Sequence, residues 1–134
     1  MANALYGKGK EKLLTGAIDV STATMKASLI SSSYTANLST DEFYTSVNSY
    51  LLNAAQTLGS KTYALGVFDA ADITFTAVTA GSTAKAVVIW KDTGSAATSP
   101  LLAYIDVITG FPLATNGGDI TIVWDSGANK IFAL

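Results

Sequence analysis

From Lys61 onward, short apolar runs are separated by turn-forming clusters of Gly, Asp and Ser, and this punctuation is what most limits the folds open to the chain. DITFTAV sets Ile73, Phe75 and Ala77 against Thr74, Thr76 and Val78, the alternation of a half-buried strand. After the turn TAGST, the run 86–90 in AKAVVIWKD is apolar on both faces, which predicts a central strand. LLAYIDV reads as another strand, with Tyr104 sharing a face with Leu102 and Asp106. The spacing leaves open whether that face is exposed or meets a partner. DITIVW and KIFAL, joined by DSGAN, predict a closing hairpin with Ile131 and Ala133 turned to the core. Met25, Ala27 and Leu29 alternate with Lys26 and Ser28, which predicts a strand over residues 24–30. Six or more short strands at intervals of roughly 8 to 15 residues indicate a mainly β protein, an antiparallel β-sandwich or jelly-roll-like fold.

Two segments depart from this pattern. In residues 1–16, Leu5, Tyr6, Leu13 and Leu14 suit one side of a short helix, although Gly7 and Gly9 each cost about 1 kcal/mol against Ala. That helix is expected to form by docking. Residues 31–61 have no sustained period of two and read as irregular or partly helical. Ser39 three residues before Glu42 is a capping-box pattern, and Phe43, Val47, Tyr50 and Leu51 follow at helical spacing. The expectation is one additional short helix over 40–49, then an extended piece over 51–57. No linker, repeat or change of composition divides residues 1–134, which read as one domain with a core of its own.

Composition narrows the chemistry. The chain has no cysteine and no histidine, so thiolate nucleophiles, cysteine zinc sites and the usual general base are missing. Every basic residue is lysine and the net charge is -2, which argues against a nucleic-acid partner. Only 13% of residues are charged, against about 25% in ordinary soluble domains, so much of the surface is Ser, Thr, Ala and Gly. Such a surface suits a chain packed among other chains, or a low-charge monomer. No apolar run approaches the roughly 18 residues of a membrane span, and the first twenty residues lack the apolar core of a signal peptide.

Asp69, Asp72, Asp92, Asp106, Asp119 and Asp125 stand at predicted strand ends. Capping of turns is their expected role, with an acid/base pair or a calcium site as the alternative. No catalytic, cofactor or metal residues are assigned. Trp90 and Trp124 read as core residues or, alternatively, as a sugar-stacking platform. Lys8, Lys10 and Lys12 read as a solvated helix face or as a contact for an acidic surface.

MANALYGKGKEKLLTGAID, GVFDAADITFTAV, VIWKDTG, LLAYIDV and NGGDITIVWDSGANKIFAL together resemble a family of small proteins encoded in tailed-bacteriophage structural gene blocks. The resemblance covers both ends and most of the second half, and fades over 31–61. It implies a non-enzymatic virion component, made in the bacterial host cytoplasm. It further suggests a capsid decoration, or cement, protein on the outer head surface, a dimer or trimer bridging neighbouring subunits of the major capsid protein. A tail or head-fibre component and, more remotely, a carbohydrate-binding module are the alternatives. The amino-terminal helix and the 31–61 segment are the expected contact regions.

Overall fold

The strand with two apolar faces sits at the centre of the computed structural model, which describes residues 3 to 134. This strand, β6 (Thr83–Lys91), lies between β2 (Met25–Ser31) and β7 (Leu101–Ile105), antiparallel to both. Beyond them, β1 (Ala4–Leu5) pairs with β7 and β3 (Gln56–Thr57) with β2. The last strand of this six-stranded sheet, β8 (Leu113–Ala114), joins the first residues of β6. Both faces are covered, and each face has its own apolar cluster.

Val87 and Ile89 of β6, with Met25, Ala27 and Leu29 of β2, point into the larger cluster. Two short antiparallel ribbons close it. β5 (Ile73–Phe75) pairs with β9 (Ile120–Ile122), and β4 (Val67–Phe68) pairs with β10 (Phe132–Ala133). Ala86, Val88 and Trp90 point the other way, and their cover is strandless: Tyr6, Tyr34, Tyr44 and Val47. The mainly β, antiparallel class therefore holds, with two ribbons as the second layer in place of a continuous second sheet.

Four local expectations are corrected. The closing hairpin does not form, because β9 pairs with β5 and β10 with β4. After β9, Asp72 Oδ1 accepts the Trp124 N–H (3.0 Å) and the Ala71 carbonyl accepts the indole N–H (3.0 Å), which steers the chain away from its own predecessor. Ile131 is buried as expected. Ala133 is exposed, and Phe132 stacks on Phe68 with ring centroids 5.2 Å apart.

In β7, Leu101 faces Trp90 while Ala103 faces Ile89, so Leu102 is a bulged residue. The bulge breaks the alternation that places Leu102 beside Tyr104: Leu102 enters the larger cluster and Tyr104 the smaller one.

The helix is shorter than residues 1–16. α1 spans Gly7–Leu14, because the residues before it are taken by the sheet; Met1 and Ala2 lie outside the described residues. Asn3 Oδ1 accepts the N–H groups of Asp106 and Val107, both at 2.8 Å, and the Tyr6 N–H reaches the Leu102 carbonyl at 2.9 Å. The docking also explains a glycine. A Cβ on Gly9 would stand 2.7 Å from the Leu101 carbonyl oxygen and 3.0 Å from Leu102 Cα. Helix propensity alone favours Ala there by about 1 kcal/mol, whereas overpacking costs about 1–3 kcal/mol. Gly9→Ala is therefore expected to lower the melting temperature; an alanine variant that melts higher would show that α1 does not press on β7.

No α-helix occupies 40–49. Two 3₁₀ turns, Tyr44–Ser46 and Asn48–Tyr50, take its place, and the capping box does not form. The amides of Ser39 and Thr40 donate to Asn37 Oδ1, and Glu42 reaches Lys12 at 2.8 Å. Main-chain bonds to the sheet dictate the path instead: the Tyr44 N–H donates to the Ser99 carbonyl and the Leu101 N–H to the Glu42 carbonyl, each at 2.8 Å. The segment is thus a cover for the second core.

Candidate functional site

The predicted chemistry-bearing residues do not converge. Asp72, Asp92, Asp119 and Asp125 each accept a main-chain N–H: from Trp124, Gly94, Ala77 and Gly127 respectively. Asp92 also pairs with Lys26 at 3.0 Å; the Gly94 amide and then that ammonium hold its carboxyl below the ordinary value. Among the described residues, no three acidic side chains stand close enough to share a metal ion. Both tryptophans are buried. Trp90 stacks on Tyr44, with centroids 3.8 Å apart and planes 15° apart, and donates its indole N–H to Ser28 Oγ at 2.9 Å. Neither ring offers a face to a sugar, which removes the observation that favoured carbohydrate binding.

Tyrosines make the second core polar at its heart. The hydroxyls of Tyr6 and Tyr34 are 2.9 Å apart, and Tyr34 donates to Asp41 Oδ2 at 2.6 Å. The Tyr44 hydroxyl lies 2.8 Å from Ser28 Oγ. Burial pushes the phenols of Tyr6, Tyr34, Tyr44 and Tyr104 above their ordinary value, and the bond to Asp41 pushes Tyr34 further. These are structural phenols, kept neutral inside the protein, with those of Tyr6, Tyr34 and Tyr44 hydrogen-bonded.

What the fold leaves open is an apolar groove of about 730 Å³ where the two ends of the described chain meet. Asn3 to Leu5 form one wall and Lys130 to Leu134 the other, with Leu13 and Leu14 of α1 beside them. Across β10 lies a smaller depression lined by Leu13, Val20, Tyr63, Phe68, Phe132 and Leu134. Leu14 is 89% exposed and Leu134 75% exposed, so β10 is a ridge between two apolar hollows. Next to Gly66, Leu65 is wholly exposed and holds the left-handed φ of 55°, a conformation costing about 1–2 kcal/mol. Apolar surface gathered in this way marks interaction sites in soluble proteins.

The three amino-terminal lysines part company here. Lys8 pairs with Glu11 (3.3 Å) and Lys12 with Glu42, while Lys10 points to the groove. Sequence reading found α1 but not the groove, whose walls are more than a hundred residues apart in the chain. The one signal available was the unbroken apolar run IFAL at 131–134, beside the Leu13–Leu14 pair. No protein-family model matches this chain, and no curated protein matches it. Among the described residues, no helix is long and apolar enough to cross a membrane.

Proposed function

We propose that this protein is a non-enzymatic structural component of a tailed-bacteriophage particle, a decoration protein on the outer head surface that bridges neighbouring major capsid subunits. One observation carries the reading beyond the sequence resemblance: the apolar patch around β10, on a domain whose two tryptophans and four buried tyrosines are taken up by its own core. A patch of that kind needs a partner surface. The partner is the major capsid protein, and the working form is a dimer or trimer. Each oligomer engages several capsid subunits at once, so weak single contacts sum to firm attachment against the pressure of packaged DNA.

Copy number tests the reading. Quantitative mass spectrometry of purified virions is expected to find this chain at an abundance approaching that of the major capsid protein. A few copies per particle would assign it to the tail or a head fibre instead, and absence from the particle would remove the virion reading altogether.

A further inference from the structure

The two walls of the large groove are both strand edges, and the hydrogen-bond pattern tells which way their main-chain groups point. In β1, Ala4 faces Tyr104, and the Tyr6 N–H reaches the Leu102 carbonyl in the same register. Antiparallel pairing alternates, so Leu5 turns its N–H and C=O away from β7. In β10, Phe132 faces Phe68, and the Leu134 N–H reaches the Gly66 carbonyl. By the same alternation Ala133 turns its N–H and C=O away from β4. The groove touches β10 but no residue of β4, so it lies along the free edge of β10, and Leu5 of β1 lines the opposite side. Unpaired strand edges facing a shared apolar hollow form a template for one more strand.

Charge narrows the occupant. Three ionisable side chains line the groove: Lys10, Lys130 and Asp125. Asp125 Oδ1 accepts the Gly127 N–H, and Lys130 reaches the Ser126 carbonyl at 3.4 Å. Two lysines stand here against one aspartate, so among the described residues the side chains of this rim carry one net positive charge on a chain of net charge -2.

We infer that the groove is a strand-addition site: an extended segment of another protein, carrying an acidic side chain among alternating apolar ones, lies between β1 and β10 and pairs with their free edges. The main-chain bonds hold the segment, Leu5, Leu14 and Phe132 take its apolar side chains, and Lys10 meets its carboxylate. The identity of the donor as a capsid subunit rests on the decoration reading; the strand-addition chemistry does not.

Two measurements keep these apart. In the first, the full-length protein, Lys10→Glu and Ala133→Pro are titrated onto purified phage heads that lack it. The Ala133 N–H points away from β4, so proline there blocks an added strand while sparing the β4 ladder, and Lys10 is an exposed residue whose replacement leaves the core intact. With melting temperatures unchanged, both variants are expected to bind at least about tenfold more weakly. Wild-type affinity in both would overturn strand addition and leave the decoration reading standing. No binding of heads by the wild type would sink the decoration reading alone, and the second measurement then decides the groove. An end-capped synthetic peptide, Thr-Val-Glu-Val-Thr-Val, is titrated into isotope-labelled protein. The amides of Leu5 and Ala133 are expected to shift and gain exchange protection, and a peptide with Lys in place of Glu, or Pro at its centre, is expected to bind more weakly. Shifts elsewhere, no shifts, or a protein that already dimerises through these two edges would overturn the inference.

Discussion

Trp90→Ala is expected to cost about 3–5 kcal/mol of folding stability, the range for deleting a large aromatic from a packed core. Trp90 sits on the central strand, faces the smaller cluster and stacks on Tyr44. The replacement leaves a void between the sheet and the 3₁₀ turn that carries Tyr44. It also breaks a three-membered network, because Ser28 Oγ takes the indole N–H and lies 2.8 Å from the Tyr44 hydroxyl. A chain of this length loses roughly 3–5 °C of melting temperature per kcal/mol, so a drop of about 10–20 °C is expected by calorimetry. Trp90→Phe keeps most of the stack and loses only the N–H, and is expected to cost about 1–2 kcal/mol. A loss under about 1 kcal/mol in the alanine variant would mean that residues 34–51 do not form a second core.

Alkali is expected to unfold the protein in one step. Four phenols, those of Tyr6, Tyr34, Tyr44 and Tyr104, are held above the unfolded value of 10.0, chiefly by burial. Below pH 10 both states keep these protons and the full stability is present. Above it, the unfolded chain releases them while the folded protein holds them back, most strongly at Tyr6 and Tyr34, so stability falls by up to roughly 1.4 kcal/mol per pH unit for each strongly shifted phenol. Tyr6 and Tyr34, the two most strongly shifted, together remove up to about 3 kcal/mol per unit, and Tyr44 and Tyr104 act in the same direction, against the roughly 5–15 kcal/mol that holds a domain folded. Phenolate absorbance from these tyrosines should therefore rise together with the loss of far-ultraviolet circular dichroism. Tyr34→Phe, which deletes one of the four, should make the fall with pH shallower. Complete phenolate formation in a protein that keeps its native dichroism would contradict the buried tyrosine core.

Where side chains repeat, the fold was legible from sequence. The unbroken run 86–90 belongs to the central strand, and the alternation of Met25, Ala27 and Leu29 does mark the face of β2 that enters the larger core. Ser28, on the opposite face, is buried as well, because its hydroxyl has two aromatic partners that no local pattern announces. The cover over the second face was illegible for a related reason. Tyr34, Tyr44 and Val47 dock one at a time from loops and 3₁₀ turns, and such turns have no long period to detect. Pairing at the carboxyl end was misread because DSGAN is a plausible hairpin connection, whereas the real partners of β9 and β10 lie about 47 and about 65 residues earlier. The groove depends on that same non-local pairing. Leu13 and Leu14 were visible as apolar residues on α1, but only the return of β10 beside β1 makes them the side of a hollow.

The central claim is that the β10 face of this domain is built to lie against a phage head. A reconstruction of the purified virion at side-chain resolution tests it most directly. The account predicts this chain on the outer surface of the head, repeated across the lattice, with β10, Leu14 and Leu65 turned toward major capsid subunits. Density for the chain only at the tail or one vertex, or a lattice-bound subunit whose β10 face looks out to solvent, would contradict it.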